Sequence, residues 1–600
     1  MEQERTPLRS EIPEEFTWNL RDLFDSDEAW MEEYRALEPL PAELLAYQGK
    51  LGESAEELLS FLKLSDEAGL RLGRLMEYAH CKSDQDTGES LYQDLRGKAI
   101  GRIVEVSGAS AFAAPELMAL EEDRLNLFFI AQPELETYRR PLYAIRRRAA
   151  HILSPAEERL LAAAGEMAQA PEHISSVFLD ADLSFPDAFD SEGQPHTLTG
   201  SSFVPLLLSP DRALRKSAFE TYYKALGSFR NTTAATLDAQ FKALRFFSQA
   251  RGYDSTLSAA LDETEVPTAV YENLITAVRA NLDKMYRYVS LRKRLLGVDE
   301  LHMYDVYTPV VPDSAEKISY DEAKATVLEA LSVLGEDYTA LLREGFENRW
   351  IDVYENKGKC GGAYSSGTAR PHPYVLLNHK DNLTSLFTLA HEMGHALHSW
   401  HSVHNQPVCT SDYVIFVAEV ASTCNEVLLM RYLLSRTEDK KRRAALVNHF
   451  LDEIKGTIYR QTMFAEFELT MGRLAEAGET LTAELLCNEY ARLNADYYGP
   501  DMVQDPEIAL EWARIPHFFY NYYVYQYATG FSAAVAIADR ILREGESAVA
   551  DYKRFLSGGC SQDPISLLKI AGVDMSSPEP VNAALSLFGE LVTELEGLML

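Results

Sequence analysis

The chain has 600 residues, of which 46% are hydrophobic and 25% charged, ordinary globular usage that excludes a mainly disordered polypeptide. Lys and Arg total 57 against 92 Asp and Glu, a formal net charge of -35 that argues against a protein coating nucleic acid through a cationic surface. At roughly 150 residues per domain the length allows three to five domain-sized units or fewer large lobes.

The N-terminus, MEQERTPLRSEIPEEF, lacks the basic-then-apolar order of a signal peptide. No apolar run approaches the roughly 18 residues that span a membrane. The six cysteines are scattered without a CxxC pair, which favours a reducing compartment over a disulfide framework. A cytoplasmic protein is expected, with no nucleic-acid or membrane partner. Helical periodicity dominates from there on. Over 54–78, Leu58, Leu59, Leu62, Leu70 and Leu75 recur among charged residues at helical spacing. Similar patterns follow at 91–113, 155–167, 210–251, 268–296, 320–342, 437–474 and 480–493. Strand-like material is sparse. The turn DSEGQP within 181–200 predicts a hairpin, and 350–378, with IDVYEN, GKCGGAYSSG and YVLLN, predicts two or three strands of a small sheet. The class is mainly α with a minor β element. The polar TGSS after the hairpin suggests a boundary near residue 200, with an N-terminal helical lobe over 1–200 and a catalytic lobe over 201–600.

The segment TLAHEMGHALHSWH carries the chemistry. His391-Glu392-Met393-Gly394-His395 matches HExxH; residues four apart share a helix face, so both imidazoles reach one cation. Neutral imidazoles suit Zn²⁺, and Glu392, next to the first ligand, is placed as general base toward the attacking water. Asp381, Asn382 or Thr384 can cap this helix. Such a site needs a third ligand and one open position. The helix is expected to end near Val403, with a turn around Pro407 and a second helix from about Asp412. If the two pack antiparallel, Glu419 stands at the height of His395, whereas Glu426 lies roughly 10 Å further along. Glu419 is therefore the expected third ligand. Ser422 and Glu426 share its face and are candidates to orient the imidazoles. His398 lies on the metal face, but a fourth protein ligand would close the site; His401 and His404 read as surface or turn histidines. Further on, HFFYNYYVYQYATG offers His517 with Tyr520, Tyr522, Tyr523, Tyr525 and Tyr527. A tyrosine hydroxyl or imidazole can stabilise the oxyanion formed in amide hydrolysis. Tyr522 and Tyr525, three apart, can share a face, but spacing alone does not choose among the five.

These motifs resemble oligoendopeptidase F, a bacterial relative of thimet oligopeptidase and neurolysin. The resemblance runs from EIPEEFTWNLRDLF through GGAYSSG, PYVLLNHKDNLTSLFTLAHEMGHALHS, VAEVASTCNE and HFFYNYYVYQYATG to FLSGGCSQDPISLLKIAGVDM. It implies a mostly helical, two-lobed, clam-like body around a deep substrate channel. It also implies one zinc held by His391, His395 and Glu419, with Glu392 as catalytic base. The family's catalytic histidine and tyrosine region matches His517, Tyr522 and Tyr525. Gly361, Gly362, Ala363 and Tyr364 resemble the part that lies along the substrate backbone. One departure is that only FFYN separates His517 from Tyr522, so the glycine-rich loop of the thimet branch has no counterpart. The expected reaction is hydrolysis of internal bonds in short unfolded oligopeptides, with an edge strand near 374–378 pairing with the substrate. The rival readings are a zinc carboxypeptidase on a similar helical scaffold and a non-catalytic, zinc-bearing peptide binder.

Overall fold

A computed structural model describes residues 5–311, 317–367 and 371–600. Helix accounts for 71% of the chain. Five helices matter below: α1 (Ala55–Gln85), α2 (Leu383–Asn405), α3 (Ile415–Arg436), α4 (Gln461–Glu476) and α5 (Tyr525–Glu544). The strands are β1 (Ala188–Phe189) and β2 (Pro195–His196), then β3 (Ile351–Asp352), β4 (Tyr364–Ser366) and β5 (Tyr374–Leu376). β1 and β2 form the expected hairpin. Several periodic stretches are broken rather than continuous. The run at 268–296 splits into Thr268–Arg279 and Leu282–Leu296. There the Asn281 amide donates to the Ala277 carbonyl (2.8 Å), and a side chain takes the place of the next backbone bond.

The chain folds into two compact units. One holds Met1–Ala150, Ala315–Leu429 and Ile537–Gly572; the other holds His151–Ser314, Met430–Ala536 and Val573–Leu600. The expected boundary at residue 200 does not coincide with this division, since 1–200 and 201–600 are each shared between the units. Burial explains the difference. In the first unit one core gathers Trp18, Trp30, Leu58, Leu75 and Leu142 together with Tyr374 and Leu376 of β5. The N-terminal helices thus bury their apolar faces against the sheet that leads into the HExxH helix. Trp30 is fully buried there and its indole donates to the Leu75 carbonyl (2.9 Å).

In that sheet β5 pairs parallel with β3 and antiparallel with β4. The order β3-β5-β4 corrects the expected edge strand near 374–378: β5 is central and fully buried, and β4 is an edge. All six cysteines carry free thiols. Among the described residues no single helix is long and apolar enough to cross a membrane.

Candidate metal centre

Helix α2 begins where the Asn382 side chain accepts the Ser385 amide (2.9 Å), so Asn382 is the cap among the three candidates. Leu386, Leu389, Ala390, Met393, Ala396 and Leu397 are buried along it. The His391 and His395 rings lie 4.8 Å apart on one face. After Asn405 a short 3-10 turn at Val408–Thr410 reverses the chain, and α3 returns antiparallel. Two contacts set the register. The Asn425 amide donates to the Ala390 carbonyl (3.1 Å), and Gly394 faces Ala421 and Ser422.

Gly394 is required by this close approach rather than by its backbone angle. A Cβ there would lie 2.5 Å from Ser422 Cα and 2.8 Å from the Ala421 oxygen, with backbone that cannot yield locally. Helix propensity alone would reward Gly394→Ala by about 1 kcal/mol. The overlap predicts the opposite sign, a loss of about 1–3 kcal/mol in denaturant unfolding, with reduced zinc content because the overlap drives α2 from α3.

The register brings Glu419 between the two imidazoles. Its Oε2 lies 3.4 Å from His391 Nε2 and 3.5 Å from His395 Nε2. One ligand atom from each of His391, His395 and Glu419 falls within 4.8 Å of the others. The electrostatics suit a cation. Burial raises the Glu419 carboxyl, but the two imidazoles outweigh it and hold the group well below the usual carboxylate range. Burial opposes charge on His391, yet Glu419 and Glu426 raise its pKa well above that of an ordinary imidazole. Glu426 does not join the metal set. Its Oε2 takes the outer nitrogen of His391, Nδ1, at 3.2 Å, which leaves Nε2 directed inward. Ser422 serves differently from the expectation: its hydroxyl donates to the Glu419 carbonyl (3.0 Å), with Glu419 Oε2 at 3.3 Å, so it steadies the carboxylate rather than an imidazole.

Glu392 is not one of the clustered ligand residues. It is 6% exposed, its Oε2 has no hydrogen-bond partner, and burial raises its carboxyl above the usual range. A buried acid with one oxygen left unpaired near two imidazoles and a second carboxylate is suited to proton transfer. The donor set and this orphaned oxygen fit zinc with three protein ligands and an open fourth position. His398 stays outside it: buried, it stacks on Tyr413 (3.9 Å) and burial pushes its pKa down to about 3. His404 is exposed as expected. His401 is not a surface residue; it is buried, and its pKa falls to about 4.

Gly361 and Gly362 are exposed and lead into β4. The Asn378 amide donates to the Cys360 and Gly362 carbonyls (2.9 Å each), and the Tyr364 hydroxyl donates to Asp84 of α1 (3.1 Å). Ala363 and Tyr364 are half-buried at the start of this edge strand.

The second unit holds the aromatic segment. His517 is half-buried, and burial lowers its pKa, which disfavours the charged imidazolium. Its Nε2 lies 3.4 Å from the Tyr527 hydroxyl, and its ring stacks on Tyr523 with Tyr520 edge-on. The two tyrosines chosen by family match are placed otherwise. Tyr522 and Tyr525 are each 1% exposed. The Tyr522 hydroxyl bonds Thr256 (2.7 Å), and Tyr525 packs on Tyr271. The reason is backbone geometry. Asn521 and Tyr522 both adopt left-handed φ, +55° and +61°, which turns Tyr522 into the core and Tyr523 out of it.

A mainly helical protein with HExxH on one helix, and on the antiparallel partner a carboxylate within reach of both imidazoles, has the features of a metallopeptidase of the helical zincin kind. The chain belongs to peptidase family M3: the model of that family matches residues 206–587, and the Oligopeptidase F model matches 116–185. Oligopeptidase PepF of Bacillus subtilis (strain 168) is 48% identical over 594 residues, covering 99% of this chain and 89% of that protein. Group B oligopeptidase PepB of Streptococcus agalactiae is 40% identical over 591 residues, with 98% of each covered. The solved oligoendopeptidase-F from Enterococcus faecium superposes with a TM-score of 0.75 at 38% identity, over 95% of this chain and 99% of that one.

Proposed function

We propose that the protein is a zinc-dependent endopeptidase that hydrolyses internal peptide bonds of short, unfolded oligopeptides. The observation that carries this reading is the grouping of His391, His395 and Glu419 near the buried carboxyl of Glu392, whose Oε2 has no hydrogen-bond partner. His391, His395 and Glu419 would hold the zinc, which when bound would supply Lewis-acid chemistry toward water and the scissile carbonyl. Glu426 holds the proton on His391 Nδ1 and keeps Nε2 available as a lone-pair donor. Glu392 takes a proton from the attacking water and delivers it to the departing amine. The edge strand β4, entered through Gly361–Ala363, lies along the extended substrate backbone, a mode that reads few side chains and so gives broad specificity. His517 donates to the developing oxyanion together with a neighbouring tyrosine. The burial of Tyr522 and Tyr525 supports assigning that tyrosine to Tyr523 or Tyr527. Free, scattered cysteines support a cytoplasmic setting.

The test is mass spectrometry of a short peptide blocked at both ends, incubated with the zinc-loaded protein. Internal cuts are expected. Intact blocked peptide alongside stepwise loss of C-terminal residues from an unblocked one would replace this reading by a carboxypeptidase. No cleavage of either would leave a peptide binder.

A further inference from the structure

The turn that directs the aromatic segment is held by one face of α4. Glu468, Gly472 and Glu476 recur at i, i+4 and i+8, so they line a single stripe of that helix. Each meets the turn differently. Glu468 Oε1 accepts the backbone N–H of Tyr522 (2.5 Å). Gly472 leaves the space in which the Tyr522 hydroxyl sits; a Cβ there would lie 1.9 Å from it. Glu476 Oε1 accepts both the amide and the hydroxyl of Thr256 (2.6 Å each). The Thr256 hydroxyl has then given its one hydrogen, so it accepts from the Tyr522 hydroxyl at 2.7 Å. From the other side the Gln240 amide donates to Asn521 Oδ1 (2.9 Å). Two consecutive residues with side chains at left-handed φ are disfavoured unless surrounding contacts impose them.

We infer that Glu468 is a positioning residue for catalysis: it fixes the left-handed Asn521–Tyr522 turn and so directs His517, Tyr523 and Tyr527 away from the core. This rests on the reading that the His517 segment acts on the substrate. Glu468 itself is fully buried, and its second oxygen has no partner. Burial raises its carboxyl to about 8, so near neutral pH it is an uncharged acid whose carbonyl oxygen does the holding. An amide of the same shape can do the same work, and a leucine cannot.

The experiment measures kcat and KM on the blocked peptide with zinc-loaded, full-length protein, and zinc content for each variant. Glu468→Leu is expected to lower kcat by ~10²-fold with KM within ~3-fold, the signature of a misplaced transition-state group. Glu468→Gln keeps the acceptor and is expected to restore kcat to within ~3-fold of the parent. Gly472→Ala disturbs the same turn without touching Glu468 and should also lower kcat. Adding Tyr522→Phe to Gly472→Ala removes the overlapping oxygen and should recover at least ~10-fold of that loss. This pair decides the matter if the leucine variant does not fold. His517→Ala serves as reference. A normal kcat in His517→Ala overturns the catalytic reading of the segment. A normal kcat in Glu468→Leu and Gly472→Ala beside a defective His517→Ala overturns the positioning role alone. Failure of both Glu468→Gln and the double variant to recover activity also overturns it.

Discussion

Glu392→Gln is expected to abolish internal cleavage while leaving zinc bound. The substitution keeps the size and shape of the side chain and removes only its capacity to take a proton. Glu392 stands outside the His391, His395 and Glu419 group, so the ligand set is untouched. General base catalysis contributes ~10²–10⁴-fold, and here one carboxyl serves both the attacking water and the departing amine, so a loss toward or beyond the upper end is expected. Stability should not fall with it. Burial already disfavours the charged form of this carboxyl, and a neutral amide relieves that penalty, so the thermal midpoint of the zinc-free variant should equal or exceed that of the parent. Cleavage, zinc content and thermal midpoint measured on one preparation separate the possibilities. Activity within ~10-fold of the parent would remove Glu392 from the role of base. Lost zinc would instead make it a ligand or a support for one.

The parts of this site legible in the sequence are those governed by fixed helix geometry. His391 and His395 are one turn apart. Glu419 followed from counting residues outward from the turn, because rise per residue is nearly constant in any helix. The packing that makes the count valid, Gly394 against Ser422 and Asn425 on the Ala390 carbonyl, is also written in local residues. Other features depend on contacts distant in sequence. β5 comes last of its three strands yet lies in the middle, because Tyr374 and Leu376 complete a core begun by Trp18 and Trp30. That same core defeats a boundary drawn at residue 200. The placement of Tyr522 and Tyr523 follows two consecutive left-handed φ angles, of which Asn521 favours its own but Tyr522 does not, in a turn contacted by Glu468, Gly472 and Gln240 from distant parts of the chain. His401, expected like His404 to be a surface or turn histidine, is buried by packing that helical spacing does not specify.

Glu419→Ala and Glu426→Ala should separate the roles of two acids that share one helix face. Both lie on one face of α3, and both approach His391, but at different nitrogens. Glu419 Oε2 stands 3.4 Å from His391 Nε2 and 3.5 Å from His395 Nε2, so removing it deletes a donor from the ligand set. Glu426 Oε2 stands 3.2 Å from His391 Nδ1, on the outer side of the ring, so removing it frees the imidazole to rotate but leaves all three donors. Loss of such an outer partner weakens metal affinity by roughly 10–100-fold. Loss of Glu419 should exceed that range, because two imidazoles alone no longer supply the three-donor set. Zinc affinity by competition with a chelator reads both values, and peptide cleavage at saturating zinc reads what remains. Glu426→Ala should regain most of its activity when zinc is raised, whereas Glu419→Ala should not. Glu426→Gln sharpens the contrast, since its amide oxygen can still accept the Nδ1 proton and affinity should stay close to the parent. If Glu426→Ala lost zinc more completely than Glu419→Ala, the two assignments would have to be exchanged, and the register between α2 and α3 would be off by about two helical turns.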